Sequence, residues 1–176
     1  MTADEYLALG ETPEKYELID GVVFMSPSPT PRHQLLCRFL LREMDASAAG
    51  RSATIVPDID LLLDTGKVYR PDIVVFAPGR FAKLPERFAL PPDLIVEIIS
   101  PGSKPLDLIT KRDDYDAFGV GEYWVIDPQD VSTRIWRRSA GSSARMLEVS
   151  VDRDAIDCVS VPGLKVNLAA VRKALG

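Results

Sequence analysis

The sequence predicts a mixed α/β or α+β domain built around a central β-sheet. The apolar runs in YRPDIVVFAPG (69–79) and PPDLIVEIIS (91–100) are short and continuous, which is typical of strands covered on both faces. Stretches with helical periodicity alternate with these runs. The length of 176 residues suits one domain, and we expect it to span residues 1–176.

The N-terminal part predicts a short helix and a β-hairpin. In TADEYLAL (2–9), Thr2 is the expected N-cap, and Glu5 stands at the matching capping-box position. KYELIDGVVFMSP (15–27) reads as two strands around Asp20-Gly21, a favoured pair of residues for a tight hairpin turn.

The rest of the chain predicts two longer helices and further strands. Helical spacing extends from Pro31 to Ala49 and is expected to stop at Gly50. A second amphipathic helix is expected at 105–118, ended by Gly119. Further predicted elements follow one another along the chain: a strand at 52–64 with a bulge or edge at Pro57, strands at 122–127, 131–139, 145–151 and 158–164, and a terminal helix at 166–175 capped by Asn167. The runs EVSV (148–151) and CVSV (158–161) fit interface edges or core equally well.

Composition narrows the function classes. The chain carries a formal net charge of −5, with a pI of about 5.0, and lacks the long Lys/Arg run that marks many nucleic-acid-binding surfaces. No apolar run is long enough to span a membrane, and the acidic N-terminus does not resemble a secretory signal. We therefore expect a cytoplasmic protein without a membrane partner. Cys37 and Cys158 lack metal-binding spacing and are interpreted as reduced, structural cysteines.

Two carboxylates stand out because each belongs to an otherwise apolar strand. Asp72 begins DIVVF, and Glu97 interrupts LIVEIIS, where alternation places it on the face opposite its direct neighbours. If the strands are neighbours, both carboxylates can converge and offer the hard oxygen ligands that Mg²⁺ or Mn²⁺ prefers. The alternative is structural, with Glu97 paired to a basic residue such as Arg70 or Lys111.

Lys111 lies on the helix that follows the Glu97 strand. Asp107, Lys111 and Tyr115 are spaced i, i+4, i+8 and therefore share one helix face. From this face Lys111 can point toward the carboxylates, where an ammonium would orient water or stabilise charge on a phosphate. The spacing fits equally well an exposed Asp107–Lys111 pair that contributes a few tenths of a kcal/mol.

Taken together, these motifs resemble the PD-(D/E)XK nuclease superfamily, and more closely its Uma-type group of bacterial proteins classed as restriction endonucleases. The segments that carry the resemblance are RPD (70–72), VEIIS (96–100), D-x-x-x-K-x-x-x-Y (107–115), GVGEYWVIDP (119–128) and YELIDGVVFMSPSPTPRHQ (16–34). The resemblance covers roughly residues 5–130. It implies a restriction-endonuclease-like core, in which helices flank a central mixed sheet, with an N-terminal hairpin and extra C-terminal strands.

The resemblance implies a role for each matching residue. Asp72 and Glu97 would be the two metal-binding acids. The motif places its lysine at position 99, where this sequence has Ile99, and Lys111 would take over that role. Glu17 would supply a further carboxylate at the site.

His33, the only histidine, would contact a phosphate or a water, although a lone histidine near a helix start is also a common polar residue or cap. The implied reaction is metal-dependent hydrolysis of phosphodiester bonds in nucleic acid, with DNA as the expected substrate. Two other functions fit the sequence: a nuclease-fold binding or assembly module without significant cleavage, and a metal-dependent hydrolase of another substrate. We expect a homodimer, because cutting both strands of a duplex needs two sites.

Overall fold

A six-stranded mixed sheet forms the centre of the computed structural model, which describes residues 1–10, 14–100, 104–139 and 144–176. Its strands, in spatial order, are Leu147–Val149 (β10), Thr133–Arg137 (β9), Glu122–Ile126 (β8), Leu94–Ile98 (β7), Ile73–Phe76 (β6) and Thr54–Pro57 (β3). β7 and β8 are parallel, and the other neighbours are antiparallel. The predicted central mixed sheet is confirmed, and β3 with Pro57 lies at its edge, as expected.

A second, four-stranded antiparallel sheet contains the N-terminal hairpin. Its strands, in spatial order, are Val22–Met25 (β2), Tyr16–Ile19 (β1), Lys67–Tyr69 (β5) and Leu61–Asp64 (β4). Asp20 and Gly21 have φ angles of 49° and 80°, the left-handed conformation that a two-residue hairpin turn requires. The hairpin is therefore confirmed, whereas the strand expected over 52–64 divides into two strands of different sheets.

The helices follow the sequence pattern closely at their N-termini. They are Ala3–Leu7 (α1), Pro31–Ala46 (α2), Arg112–Phe118 (α3) and Leu168–Leu175 (α4), and a π-helical segment, Leu106–Lys111, leads directly into α3. The Thr2–Glu5 capping box, the Asn167 cap and the left-handed Gly119 after α3 are all present.

One expected helix end and one expected strand are wrong. α2 ends at Ala46 rather than Ala49, since the hydroxyl and the backbone N–H of Ser47 both donate to the Met44 carbonyl. Gly50 belongs to the turn that follows, where an added Cβ would lie 1.8 Å from the Met44 carbonyl oxygen. The strand expected at 158–164 is also wrong, because this segment is a turn between Ala155–Asp157 (β11) and its antiparallel partner Lys165–Asn167 (β12).

Apolar side chains cover both faces of the central sheet. On one face, α2 and α4 pack through residues such as Leu40 and Val171 against a cluster that includes Val96. On the other face, the aromatic residue Tyr115 of α3 packs against a cluster that includes Ile95. This alternation along β7 confirms that Glu97 faces the second cluster. None of the helices in the described part of the chain is long and apolar enough to cross a membrane.

Candidate active site

Neighbouring strands bring Asp72 and Glu97 to the same place. β6 and β7 pair with Ile73 opposite Val96, so Asp72 and Glu97 follow as the next facing positions, on one face of the sheet. Oδ2 of Asp72 also accepts a hydrogen bond from the Ile98 backbone N–H at 2.8 Å. Both carboxylates line a cavity of about 1110 Å³, although their residues are only 8% and 2% exposed. The expected convergence of the two acids is present.

Asp72 is held by two basic side chains. Nζ of Lys15 lies 3.0 Å from Oδ1, and Nε2 of His33 lies 3.2 Å from Oδ2. Burial alone would raise the pKa of Asp72, but the hydrogen bond from His33 and the charge of Lys15 outweigh it and hold the pKa well below its ordinary value. Asp72 is therefore an anion at neutral pH, as a metal ligand must be. His33 also lies at the start of α2, where its backbone N–H donates to the Thr30 cap.

Lys111 occupies the centre of an acidic pocket on the same face. Its Nζ lies 2.8 Å from Oε1 of Glu17, 3.0 Å from Oε1 of Glu97 and 3.6 Å from Oδ1 of Asp107. The Tyr115 hydroxyl donates to the same Glu97 oxygen at 3.1 Å. The sequence left open whether the Asp107–Lys111 pair is exposed; the pair exists, but both side chains are buried, so it is part of this cluster and not a surface ion pair.

The π-helical segment carries two members of the pocket. The wider turn of a π-helix is uncommon and often found at functional sites. Here the segment contains both Asp107 and Lys111, and Lys111 lies 5.5 Å from the Tyr69 ring centroid. The hydroxyl of Tyr69 donates in turn to Asp114 of α3, which fixes the ring beneath the ammonium. The helix expected over 105–118 is present and ends at Gly119, but its part from Leu106 to Lys111 is π-helical rather than α-helical.

Glu17 reaches the pocket from β1. Its Oε1 accepts the Arg70 backbone N–H at 2.9 Å in addition to the Lys111 ammonium. The Arg70 guanidinium pairs with Asp58 at 3.0 Å, so of the two ion-pair partners considered for Glu97, the structure shows Lys111. Ile99 packs within the apolar cluster and is 9% exposed. Lys111 therefore supplies a cation at this face, where position 99 has none.

Formal charges do not balance in this region. Four carboxylates (Glu17, Asp72, Glu97 and Asp107) face two ammonium groups (Lys15 and Lys111), so the carboxyl groups outnumber the lysines by two. A buried charge excess is costly, and a divalent cation is what would neutralise it. Within the described residues, no three or more His, Cys, Asp and Glu side chains form a ready-made metal cage. Two ammonium groups lie among the carboxylates of this pocket.

The surroundings of Glu97 raise its pKa. Burial, against the opposing charge of the Lys111 ammonium and together with the Asp72 carboxylate, raises the pKa of the Glu97 carboxyl to about 8. Glu97 and Asp72 therefore lie side by side with pKa values displaced in opposite directions. Such a pair is typical of functional sites, although ion-pair networks can also produce it.

Sequence reasoning missed Lys15 and the part played by Asp107. Lys15 and Glu17 are two residues apart, so a strand starting at Tyr16 directs both side chains to one face. This period-two spacing of a base and an acid was the available signal. Asp107 was noted only as a neighbour of Lys111 along a helix.

Arginines lie along the rim of the cavity. Gln34, Arg38 and Arg42 are exposed, are spaced i, i+4, i+8 on α2, and line the same cavity as the two acids. Successive members of this row lie about 6 Å apart along the helix axis. An acidic protein thus presents a short basic row beside its acidic pocket.

The fold and the paired acids define a nuclease-like class of protein. The family model of Uma2, described as "Putative restriction endonuclease", matches residues 3–170, and the chain belongs to this family. A solved structure of a "putative nuclease belonging to DUF820" from Anabaena variabilis matches with a TM-score of 0.81 and 21% sequence identity, over 100% of this chain and 99% of that chain. At this identity the likeness concerns the fold. No curated protein sequence matches the chain.

Proposed function

We propose that the protein is a Mg²⁺- or Mn²⁺-dependent nuclease that hydrolyses phosphodiester bonds of DNA at the Asp72–Glu97 site. The observation that carries this proposal is the excess of carboxylates over ammonium groups, four against two, in a buried pocket that opens on a cavity. A structural ion-pair cluster has no need of such an excess. Membership of the family described as "Putative restriction endonuclease" supports the same chemistry.

Asp72 and Glu97 would hold the metal, since both are hard oxygen donors on one face of the sheet. When bound, the ion would lower the pKa of a coordinated water and neutralise charge on the phosphate. Lys111, held by Glu17 and Asp107, would present its ammonium to the negative charge that develops on the phosphate. His33 would orient Asp72 through its Nε2, which lies 3.2 Å from Oδ2, and would contact a phosphate or a water in the cavity that it lines.

Nucleic acid is the substrate class that the rim supports. Arg38 and Arg42 lie along one wall of the cavity, where guanidinium groups would bind successive phosphates of a strand leading to the metal site. The net charge of −5 argues against tight, nonspecific binding over the rest of the surface. For duplex DNA we propose a homodimer, which light scattering can test.

The decisive experiment compares cleavage of plasmid, single-stranded DNA and RNA in Mg²⁺ or Mn²⁺. Wild-type protein should cleave at least one of the three, and Asp72→Asn, Glu97→Gln and Lys111→Ala should abolish cleavage. Glu122→Gln is the matched control, because Glu122 is also fully buried but does not line the cavity. Cleavage that persists in the Asp72 and Glu97 variants would refute the assignment of these residues.

A nuclease-fold binding or assembly module without significant cleavage is the second candidate. Ile99 favours it, because the usual lysine position is filled by a packed apolar side chain. Under this alternative the wild type would bind DNA and would show no cleavage with either metal. Thermal unfolding with added Mn²⁺ also separates the two candidate functions. If the protein has the proposed metal site, Mn²⁺ binds only the native state and should stabilise wild type but not Asp72→Asn.

A further inference from the structure

Two lysines compensate the acidic site, and they differ in how firmly they are held. Lys111 is 4% exposed in its side chain and contacts three carboxylates. Lys15 is 22% exposed in its side chain, lines the cavity and, among the described residues, forms an ion pair with Asp72 at 3.0 Å. Both lysines line the cavity, but Lys15 is the more exposed of the two and therefore the one whose ammonium can move into the cavity.

The Lys15 ammonium occupies a position beside Asp72 where a metal cation could bind in its place. It lies on Oδ1 of Asp72, and its charge also interacts with Glu97 and Glu17. Oδ2 of Asp72 is bound by the Ile98 N–H and His33, so Oδ1 is the oxygen whose partner must change before another cation can bind there. A lysine ammonium is a compact charge on a flexible four-carbon stem, which suits it to exchange between neighbouring anions.

We propose that Lys15 is an exchangeable cation: its ammonium neutralises Asp72 in the metal-free protein, leaves Asp72 when a divalent metal binds, and then binds a phosphate of the nucleic acid in the same cavity. The inference rests on the proposed function and adds a substrate-binding residue to it. Release of Lys15 breaks one ion pair, and a phosphate of the nucleic acid then supplies the ammonium with a new anionic partner. Binding of metal and of substrate would thereby be linked through one side chain.

The first test is the affinity for Mn²⁺, measured by calorimetry without nucleic acid. Lys15→Gln removes the competing ammonium and should bind Mn²⁺ at least about fivefold more tightly than wild type, whereas Lys15→Arg keeps a competing charge and should stay near wild type. Lys67→Gln is the matched control, since Lys67 is 20% exposed and pairs with Asp114 and Asp20, which do not line the cavity. Its Mn²⁺ affinity should not change.

The second test follows the ammonium directly. Acylation of Lys15 by an amine-reactive ester, measured by mass spectrometry, should be faster with Mg²⁺ than without it, because release from Asp72 exposes the amine and lowers its pKa. Lys104, which is 57% exposed in its side chain, should react at the same rate in both conditions.

In the third test, Lys15→Gln with Mg²⁺ should bind a phosphorothioate oligonucleotide more weakly than wild type, and Lys15→Arg should restore binding.

The outcomes separate this inference from the proposed function. Equal Mn²⁺ affinity in wild type and Lys15→Gln, or equal acylation with and without Mg²⁺, would overturn the exchange and leave the metal site standing. Oligonucleotide binding that is unchanged in Lys15→Gln would overturn the phosphate contact. Failure of both proteins to bind Mn²⁺ would overturn the metal site itself, and with it the role of Lys15.

Discussion

Glu97 and Glu122 are buried glutamates in the adjacent parallel strands β7 and β8, yet their surroundings differ in kind. The Glu122 carboxylate lies 3.2 Å from Nε of Arg137 and accepts from Nε1 of Trp124 and the backbone N–H groups of Val159 and Ser160. Its partners are all donors, and it holds the turn before β12. Glu97 instead lies among other carboxylates and faces a cavity.

This difference teaches that burial of a charge does not by itself identify a site. Glu122 is the more deeply buried of the two, at 0% exposure against 2%, but its single charge is compensated and its oxygens are satisfied. A satisfied buried carboxylate is a structural element. The uncompensated charge around Glu97 is what distinguishes a candidate metal site, and the following substitutions test that distinction.

The largest effect is expected for Lys111→Met. This substitution leaves Glu17, Glu97 and Asp107 without their shared ammonium, and removal of one partner from a buried ion cluster costs ~3–5 kcal/mol. Urea unfolding in the absence of metal measures the loss. Lys104→Met, which removes an exposed lysine 3.7 Å from Asp127, should cost less than ~1 kcal/mol. Equal losses in the two variants would contradict the role given to the buried cluster.

Glu122→Gln and Glu97→Gln should differ in their effect on stability at pH 8. Glu122→Gln removes the charge that Arg137 faces in a buried ion pair and should lower the free energy of unfolding by about 3 kcal/mol. Glu97→Gln removes one of several crowded negative charges, and Lys111 keeps two other partners, so its cost should be below ~1 kcal/mol. Urea unfolding of both variants at pH 8 measures the two losses of stability. A larger cost for Glu97→Gln would show that Glu97 is a structural ion-pair partner.

The dependence of stability on pH should be specific to Glu97. Its pKa is raised from 4.5 to about 8, so the folded protein binds an extra proton between these values. The stability from this proton is complete below pH 4.5 and is lost as the pH rises through about 8. Metal-free wild type should therefore lose stability from pH 5 to pH 8, and Glu97→Gln should show a smaller loss. A loss of the same size in the variant would assign the titration to another group.

Metal binding should follow the opposite trend over this pH range. Mn²⁺ needs the deprotonated carboxylate, so the increase in melting temperature produced by Mn²⁺ should grow from pH 6 to pH 8. Glu122→Gln should retain this trend. The titration of Asp72 does not affect the trend between pH 6 and pH 8. Its pKa lies below the ordinary value of 3.8, so its contribution to stability is lost only in acid.

The smallest effect on stability is expected at the rim. Arg38→Ala should change the free energy of unfolding by less than ~0.5 kcal/mol, because Arg38 is exposed. It should nevertheless weaken binding of single-stranded DNA and reduce the salt dependence of log K by about 0.7, the value for one phosphate contact. Arg134→Ala removes an arginine paired with Glu148 away from the cavity and should leave both quantities unchanged. Equal DNA binding by the two variants would remove Arg38 from the proposed phosphate path.

Much of the site could be predicted because it depends on strand patterns. The position of an acid within an apolar strand predicts which face of the sheet its side chain lies on. Because β6 and β7 are neighbours, Asp72 then lies opposite Glu97. The strand pattern could not decide whether Glu97 is a metal ligand or an ion-pair partner, because Lys111 lies close to Glu97 under both interpretations. Lys15 was missed because its period-two spacing from Glu17 shows only a shared face and does not show which acid the ammonium contacts. Its partner Asp72 lies 57 residues away.

The sequence by itself determined the hairpin turn, the N-terminal helix caps and the alternation that turns Glu97 toward one face. Each of these depends on residues close together in the chain, through backbone conformation or side-chain period. Only the tertiary structure decided that residues 106–111 form a π-helix, that 158–164 form a turn fixed by Glu122, and that two lysines and four carboxylates meet. Electrostatic balance is a sum over groups from distant parts of the chain, and only folding brings those groups together.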